Sequence, residues 1–402
     1  MGVPLEDFAA QARAFLEAHL ERRVDPMDPP AEPPERIAIV EEFASEEERA
    51  HVGRACAWQR TKFDAGYGWL TGPSRYGGRE LPLAHEIVFA ALEREYATPD
   101  RTPLLVSLGM VAPTLLAHGS EVVHARYLRE LHRGDVFACQ LFSEPEAGSD
   151  LASVATRAEF DHLSGSWRLT GQKVWTSWSA SADIGLALAR SDADSPRHRG
   201  LTMFLIDMAA TGVDVRPLRQ MTGGAGFSEV FLDGVAVPDD HRIGEVGDGW
   251  RAAITTLTNE RATISAGGAD VPVGLLARAL AAAGRQDEVG ATVDLGRVAR
   301  QARIHDLIVR RTNEALVAGD APGPALLAGK LLLTRAHQAA GALAASLVGS
   351  GLAADGGSLG AYAWAEYLLG VPGTRIAGGT DEIQLDIIAE RVLGLPREPR
   401  PT

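Results

Sequence analysis

A block of short, strand-like segments between two long helical regions is the feature that most constrains the fold of this chain. From about Phe137 to about Arg242, segments rich in Val, Thr, Trp and Phe are bounded by Gly, Ser and Asp, a pattern typical of β-strands. On both sides of this block, apolar residues recur at helical spacing. The sequence therefore predicts an α+β fold in the order helical domain, β domain, helical bundle.

Local patterns predict where individual elements lie. Near the N-terminus, apolar residues recur at the spacing of an amphipathic helix, at Leu5, Phe8, Ala12, Phe15 and Leu16. Further helical patterns cover 36–62, 83–96, 103–118 and 121–132, and a hairpin turn is predicted at 162–166. The proline-rich residues 26–34 predict a connector, and breaks between the bundle helices are predicted at Gly284, 319–324 and 355–360.

The charge balance and the cysteine count argue against several classes of function. The 402 residues carry a formal net charge of −14, which disfavours generic binding to nucleic acid or to an anionic membrane. Cys56 and Cys139 lie far apart in sequence, and the histidines lack metal-binding spacing, so we predict neither a disulfide framework nor a metal site. Because no apolar run is long enough for a membrane span and no secretory or transit pattern begins the chain, we expect a cytoplasmic protein.

Glu260 lies on the apolar face of the helix that is predicted to follow the β domain. At helical pitch, Ala253, Leu257, Glu260 and Ile264 fall on one line, which places a carboxylate among apolar neighbours. Burial would raise the pKa of such a carboxylate and make it a candidate for acid–base chemistry. A structural ion pair with Arg261 or another arginine is the alternative, and the residues alone leave both possibilities open.

Four further segments carry signatures in a fixed order along the chain. They are 139–150, ending in SEPEAGSD; 171–177, reading GQKVWTS; 230–238, reading VFLDGVAVP; and 378–391, beginning GGTDEIQ. Together, over about 5–395, they resemble the motifs of the acyl-CoA dehydrogenase family, although Trp178 stands where the second motif usually has Asn. The resemblance implies an N-terminal helical domain (1–135), a middle β-barrel domain (136–243) and a C-terminal four-helix bundle (244–402).

The resemblance also implies FAD as the cofactor. The residues that match cofactor-binding positions are Ser143, Ser149, Trp175, Ser177, Gly379 and Thr380. In the family pattern, Ser143 hydrogen-bonds the flavin pyrimidine ring, Trp175 packs on the isoalloxazine, and Ser177 places a hydroxyl at flavin N5. Ser149 and Thr380 match positions near the pyrophosphate. Any one of these residues alone is as well explained by a turn or by core packing; the ordered set favours flavin.

Position 378 departs from the commonest family pattern and thereby locates the catalytic base. In that branch the base is the Glu of an EGT sequence, whereas this chain has Gly378. A second branch, similar to the isovaleryl- and long-chain-type enzymes, carries its base as Glu-Arg in an LxxERxxxxAG pattern, which matches 257–267 here. The resemblance implies that Glu260 is the base, that Arg261 contacts the substrate, and that the Gly378 N–H donates to the thioester carbonyl.

The activity implied by the resemblance is α,β-dehydrogenation of an acyl-CoA or acyl-carrier thioester to the 2-enoyl thioester, with an electron-transfer flavoprotein as acceptor. A flavin-dependent monooxygenase or oxidase on the same fold is the alternative, and a non-catalytic subunit is a third hypothesis. Glu260, together with the intact set of flavin positions, argues against both of these.

The assembly state stays open at the level of sequence. In family homotetramers a neighbouring subunit completes the FAD site with Arg-x-x-Phe-Gly and Gln-x-x-Gly-Gly patterns. The first pattern is missing around 285–290, and the second is degraded near 346–350. The chain is therefore expected to form either a homodimer or homotetramer with altered FAD contacts, or a heterotetramer in which a related subunit donates these groups, as in some actinobacterial-type relatives.

Overall fold

The computed structural model describes residues 3–23, 37–39, 45–195, 197–267, 270–318, 325–353 and 363–397. The predicted connector at 26–34 and the predicted breaks at 319–324 and 355–360 lie outside the described residues. The chain divides into two compact units. The first comprises Met1–Arg22, Glu42–Gln220 and Gly224–Glu260, and the second comprises Arg23–Glu41, Met221–Gly223 and Arg261–Thr402.

The first unit begins with helices. They are α1 (Leu5–His19), α2 (Ser45–Asp64), α3 (Leu83–Glu93), α4 (Leu104–Val106), α5 (Ala112–His118), α6 (Glu121–Val123) and α7 (Arg129–Arg133). π-Helical turns at 107–111 and 124–128 join α4 to α5 and α6 to α7. In α1, Phe8, Ala12 and Leu16 are buried on one face, which confirms the predicted helical spacing.

Two of the predicted helices differ from the structure at their ends. Residues 37–39 of the pattern predicted from 36 are not helical, and α2 begins at Ser45; Ile37 is instead buried among apolar residues of the second unit. The helix predicted over 83–96 ends at Glu93, and Tyr96 pairs with Arg22 in an isolated β-bridge. In both places a tertiary contact overrides the local pattern.

An eight-stranded sheet follows these helices. Its strands are β1 (Ala138–Leu141), β2 (Arg157–Asp161), β3 (Ser166–Ser177), β4 (Ile184–Arg190), β5 (Leu201–Asp207), β6 (Val213–Leu218), β7 (Phe227–Pro238) and β8 (Arg242–Ile243). Their order is β6-β7-β3-β2-β4-β5-β8, with β1 parallel to β4. Asp161 pairs with Ser166 across the β2–β3 turn, which confirms the predicted hairpin.

The sheet is apolar on both faces, and it wraps around a core of its own. Alternate residues of β5 point to opposite faces: Met203 and Leu205 pack with the helices, whereas Phe204 and Ile206 belong to the sheet interior. Trp167 of β3 contacts Phe204 with ring centroids 5.2 Å apart, although β2 and β4 lie between the two strands in the sheet order. The predicted barrel is thus a curled sheet, in which each fully buried large aliphatic or aromatic side chain contributes about 1.5–3 kcal/mol.

Among the residues that the structure describes, six helices follow the sheet. They are α8 (Gly249–Gly267), α9 (Val273–Ala282), α10 (Val289–Val317), α11 (Ala325–Val348), α12 (Ala363–Ile376) and α13 (Asp381–Arg391). One apolar core in the second unit is built from α9, α10, α11 and α12, through residues such as Leu280, Val298, Leu343 and Trp364. Gly284, with φ of +65°, separates α9 from α10 as predicted.

The described elements confirm the α+β class, with helices first, a curled sheet next, and a four-helix bundle in the second unit. The boundaries 1–135, 136–243 and 244–402 stay a prediction. None of the described helices combines the length and the apolarity needed to cross a membrane.

Candidate active site

The loop after β1 and the end of β3 bring several of the predicted cofactor residues together. The backbone N–H of Val174 donates to the carbonyl of Ser143 over 2.9 Å, so the loop lies directly against the strand. Ser143 itself is half-buried. The strand then continues through Trp175 to Ser177, which places the two segments assigned to flavin side by side within the first unit.

A buried ion pair fixes this juxtaposition. Lys173 of β3 is fully buried, and its Nζ donates to Glu144 Oε1 at 2.7 Å. The same ammonium donates to the carbonyls of Leu188 and Phe142, at 2.7 and 3.1 Å. All three ammonium donors are therefore satisfied without water, which is the condition for burying a charge at low cost.

Glu144 is held equally firmly on its own side of the pair. Its carboxylate accepts from the backbone N–H groups of Ala155 and Thr156, at 2.6 and 2.9 Å. Burial acts to raise the pKa of Glu144, but the attraction of Lys173 and these hydrogen bonds outweigh it, so the pKa is lowered. Burial lowers the pKa of Lys173 to about 8 against the attraction of Glu144. Both groups are ionised at neutral pH.

Glu144 and Lys173 both lie inside the motifs quoted above, but the motif resemblance assigns neither of them a role. The available signal was a lysine directly before the apolar pair Val174 and Trp175 in a segment predicted to be a strand. A charged residue at a buried strand position requires a partner of opposite charge. The SEPEAGSD loop, which precedes β3 in the sequence, contains two glutamates that could be this partner.

The backbone is unusual at the C-terminal end of β3 and at the residue that follows it. Among the described residues, left-handed φ values occur at only three non-glycine positions, Glu80, Trp175 and Trp178, at 50°, 60° and 60°. The two tryptophans bracket Ser177, and the register of β3 on β7 shifts between Lys173 and Thr176. Each left-handed bulky residue costs of the order of 1–2 kcal/mol, and such strain concentrates at functional sites.

At this end of β3, one aromatic side chain is largely exposed, and one hydroxyl has no hydrogen-bond partner among the described residues. Trp175 is 59% exposed, and its only ring contact among the described residues is an edge-to-face arrangement with Phe227, with centroids 5.9 Å apart. Thr176 Oγ1 is buried and has no hydrogen-bond partner among the described residues. Ser177 between the tryptophans is half-buried. An exposed aromatic face beside hydroxyls fits the face and edge of a bound flavin ring.

Ser149 lies further along the loop, in an exposed position. The next residue, Asp150, accepts from Ser153 Oγ at 2.6 Å and pairs with Arg197. These contacts order the loop that carries Ser149, which leaves its hydroxyl accessible for a ligand.

Glu260 lies on α8, at the end of the first unit. Along the predicted apolar line, Ala253 is buried, Leu257 and Glu260 are half-buried, and the side chain of Ile264 lies outside the description. The expected burial of this face is thus complete at its beginning and partial at the carboxylate. One turn before Glu260, Thr256 Oγ1 lies 2.9 Å from Thr114 Oγ1 of α5, which ties the helix to its neighbour.

The residues from Gly378 to Thr380 form a tight turn in the second unit. Gly378 and Gly379 have φ of +67° and +86°, a region that favours glycine. Thr380 accepts from the Ile383 N–H at 3.2 Å and caps α13. A glutamate at 378 would pay the left-handed backbone penalty, so the turn is suited to the glycine that the sequence has there.

Buried polar groups hold this turn from below. Lys330 of α11 donates to the carbonyls of Gly379 and Arg375, and it lies 3.7 Å from Asp381. Gln384 Nε2 donates to the carbonyl of Gly378 at 3.2 Å. The carbonyls of both glycines are therefore occupied by side chains of the same unit. Arg261, predicted to contact the substrate, is the first α8 residue of this unit and is half-buried.

Family models match nearly the whole chain. Residues 5–135 match the acyl-CoA dehydrogenase N-terminal domain, residues 139–235 the middle domain, and residues 247–393 the C-terminal domain. The chain belongs to the acyl-CoA dehydrogenase family. FAD is the characteristic cofactor of this family, and the predicted class, an FAD-dependent oxidoreductase, is the class of the family.

Curated relatives come from mycobacteria, which confirms the predicted likeness to actinobacterial proteins. The chain is 41% identical over 367 residues to acyl-CoA dehydrogenase FadE34 of Mycobacterium tuberculosis, covering 90% of this chain and 48% of that protein. It thus spans about half the length of that relative. It is 35% identical over 413 residues to acyl-CoA dehydrogenase IpdE1 of the same organism, covering 98% of each chain.

Solved structures share the fold over the whole chain. The steroid acyl-CoA dehydrogenase Tcur3481–Tcur3483 superposes with a TM-score of 0.74 at 22% identity, covering 99% of each chain. The ChsE4–ChsE5 complex of Mycobacterium tuberculosis gives a TM-score of 0.71 at 24% identity, again covering 99% of each chain. At these identities the likeness concerns the fold alone.

Proposed function

We propose that this chain catalyses the α,β-dehydrogenation of an acyl thioester, giving the 2-enoyl thioester, with Glu260 as the base. The observation that carries the proposal is the end of β3. Two left-handed tryptophans bracket Ser177 there, and the buried Glu144–Lys173 pair holds this segment against the Ser143 loop. Strained backbone persists only where the surrounding structure holds it in place, and rigid support of this kind is expected at a cofactor site that is formed before the cofactor binds.

The proposed FAD-binding residues are Ser143, Ser149, Trp175, Ser177, Gly379 and Thr380. Ser143 and Ser177 offer hydroxyls to the polar edge of the ring, and Trp175 offers an exposed aromatic face. When bound, FAD supplies a two-electron acceptor for the β-hydrogen of the substrate. Hydrogen-bond donors at the polar edge favour the anionic reduced form of such a ring.

Glu260 is proposed to remove the α-proton. Its carboxylate takes that proton while the β-hydrogen leaves with its electron pair, so a carbon–carbon double bond forms between Cα and Cβ. Glu260 is half-buried on the α8 face that carries Ala253 and Leu257, and partial burial limits the hydration of its carboxylate. A glycine at 378 with φ of +67° accords with a base that has moved to α8.

The Gly378 N–H is proposed to donate to the thioester carbonyl. Such a donor stabilises the negative charge that develops on the carbonyl oxygen as the α-proton leaves. Lys330 and Gln384 occupy the carbonyls of Gly379 and Gly378, which keeps the turn in one conformation. Arg261 is proposed to contact the substrate. An electron-transfer flavoprotein is the proposed acceptor.

An anaerobic absorption experiment tests the proposal. The chain purified together with the related subunit that it needs to hold FAD is expected to show oxidised flavin bands, and these bands are expected to bleach when an acyl-CoA from a panel of chain lengths and shapes is added. Bleaching by one ester establishes the cofactor, the reaction class and the acyl type together. Bound flavin that no thioester bleaches would instead favour the oxidase or monooxygenase alternative.

We also infer that a related subunit completes the FAD site. The inference is supported by the missing donor pattern at 285–290 and by the degraded pattern at 346–350. Two of the solved structures with this fold are named as pairs of different chains, Tcur3481–Tcur3483 and ChsE4–ChsE5. The chain expressed alone is therefore expected to retain little FAD. Near-stoichiometric FAD and full activity in the isolated chain would instead establish a homo-oligomer.

A further inference from the structure

Trp178 has a demanding combination of features. Its φ and ψ are 60° and 14°, in the left-handed region, and its side chain is buried. It follows Ser177 directly, so its backbone conformation sets the direction in which the Ser177 peptide leaves β3. Asparagine tolerates this region far better than tryptophan, whose bulk makes it an outlier there. The surroundings must therefore supply the free energy that keeps Trp178 left-handed.

Helix α2 supplies that stabilisation. The His51 ring stacks on Trp178 with centroids 6.0 Å apart and an interplanar angle of 10°. Val52 and Ala55, on the same face of α2, belong to the same apolar cluster as Trp178. Offset stacking of this kind contributes beyond the burial of area.

The His51 ring is itself fixed in place. Its Nε2 lies 2.8 Å from Asp100 Oδ2, and its Nδ1 lies 3.4 Å from Arg54 Nη2. Asp100 is in turn held by the N–H and the hydroxyl of Thr102, at 3.0 and 2.7 Å. The imidazole plane that faces Trp178 is therefore set by neighbours on both of its edges.

The same helix grips the far side of the turn. Glu48, one turn before His51, accepts from Ser181 Oγ at 2.9 Å and is almost fully buried. Trp178 and Ser181 lie at the two ends of the short turn that follows β3. The segment after Ser177 is thus clamped at two points by one face of α2.

We propose that His51 is a positioning residue for the cofactor site, acting through Trp178 on the Ser177 hydroxyl. It rests on the proposed function, because Ser177 is assigned there to the flavin N5 edge. Losing the stack relaxes Trp178 from its left-handed backbone, and the Ser177 donor moves away from its place. The reduced form of the cofactor depends most on that donor, so it is then destabilised relative to the oxidised form.

A double-mutant cycle in the flavin-loaded protein tests this proposal. The variants are His51→Ala, Trp178→Asn and the pair, and the measurement is the reduction potential of bound flavin by dithionite titration against a reference dye. His51→Ala alone is expected to lower the preference for reduced over oxidised flavin roughly tenfold, which is about 30 mV for a two-electron couple. In the Trp178→Asn background the same change is expected to have no effect, since Asn holds the left-handed conformation unaided.

Two further variants separate positioning from simple core packing. Ser177→Ala is expected to abolish the response of the potential to His51→Ala. His51→Phe keeps a stacking ring and is expected to retain the wild-type potential, whereas His51→Leu, of similar size, is not. The Phe and Leu pair also carries the comparison if His51→Ala does not fold.

The outcomes are distinguishable. An unfolding midpoint that falls equally in both backgrounds, with an unchanged potential, would overturn the proposal and leave His51 as a packing residue. A shift of the same size in the Trp178→Asn background would overturn it as well. If the wild-type chain, alone or with a co-expressed related subunit, binds no flavin, the proposed function fails together with this inference.

Discussion

At the scale of single residues, Lys173 and Glu144 form a buried ion pair in which each is the counter-charge of the other. Lys173→Met keeps the volume of the side chain but leaves Glu144 as a buried carboxylate without its counter-charge. Breaking a buried pair in this way is expected to cost about 3–5 kcal/mol in the free energy of unfolding. Denaturant unfolding measures this loss of stability, and the flavin content of the purified variant measures the effect on the candidate cofactor site.

The double variant Lys173→Met with Glu144→Gln is the control for that prediction. It removes both charges, so it is expected to recover part of the loss. If Lys173→Met lost less than about 1 kcal/mol in the free energy of unfolding, the ion pair would not be what holds the Ser143 loop against β3.

Glu260 offers the most direct test of chemistry at the residue scale. Glu260→Gln preserves size and hydrogen bonding but removes the base, so we expect turnover to fall by roughly 10³-fold with flavin retained. Glu245→Gln, at an exposed glutamate, is the matched control and should leave turnover unchanged. Near-normal turnover in Glu260→Gln would assign the proton transfer to another group.

His132 makes stability depend on acidity. Burial lowers the pKa of His132 to about 3, and its ring stacks on Trp69 at 3.6 Å. Below the unfolded pKa of about 6.5, the unfolded chain takes a proton that the folded chain refuses, so stability falls as the pH falls from there. His132→Phe keeps the ring but cannot titrate.

Between pH 6.5 and pH 5, the free energy of unfolding of His132→Phe is therefore expected to fall by roughly 2 kcal/mol less than that of wild type. Denaturant titrations at the two pH values measure the difference. His162→Phe, in the exposed hairpin turn, is the control and should follow wild type. Equal acid losses in wild type and His132→Phe would assign the dependence elsewhere.

At the scale of elements, α8 owes its placement to α5. The buried Thr114–Thr256 hydroxyl pair and the 2.8 Å contact between His118 and Thr255 join the two helices. Thr256→Val preserves shape and removes the hydroxyl, which is expected to cost about 1 kcal/mol and to lower turnover several-fold, because Glu260 lies one turn further on.

Thr258→Val provides the comparison on the same helix. Thr258 is exposed, and its hydroxyl donates to the carbonyl of Ile254 at 2.7 Å, one turn earlier on the same helix. It is expected to leave stability and turnover unchanged. Equal effects of the two substitutions would mean that the inter-helix contact has no special part in placing α8.

The elements themselves were largely predictable, because their apolar periods are local. The spacing of Phe8, Ala12 and Leu16 predicted α1, and the β2–β3 turn followed from its polar residues. The starts and ends that differ, at α2 and after Glu93, depend on contacts distant in sequence, such as the Arg22–Tyr96 bridge.

The site was predictable only in part for the same reason. Motif resemblance named Ser143, Trp175 and Ser177, but the residues that hold them were not assigned. The Glu144–Lys173 pair spans 29 positions of sequence, and the His51–Trp178 stack joins a helix to a strand end much further along the chain. Left-handed backbone at Trp175 has no sequence signal, because the usual markers of that conformation are Gly and Asn; at Trp178 the one signal was that the family motif usually has Asn there.

At the scale of the whole molecule, α10 presents apolar side chains to solvent within its own unit. Val289, Val293, Ile304 and Leu307 are exposed on this helix. In a chain of net charge −14, such a face is expected to be covered by another polypeptide. The double change Ile304→Asp with Leu307→Asp should reduce the mass of the assembly in solution by a factor of about two or more.

Light scattering on the purified complex measures that mass. Leu163→Asp is the control, since Leu163 is 100% exposed in a hairpin turn. It should leave the mass unchanged. An unaltered mass in the α10 double variant would place the association surface elsewhere on the molecule.

The exposure of Trp175 has an optical consequence. Five of the seven tryptophans are buried and Trp250 is half-buried, whereas Trp175 is 59% exposed. A neutral quencher such as acrylamide should therefore extinguish mainly the emission of Trp175, at the red edge of the spectrum. Any molecule that comes to lie on this ring would shield it from the quencher, so the chain carries a built-in fluorescent reporter at its own candidate cofactor site.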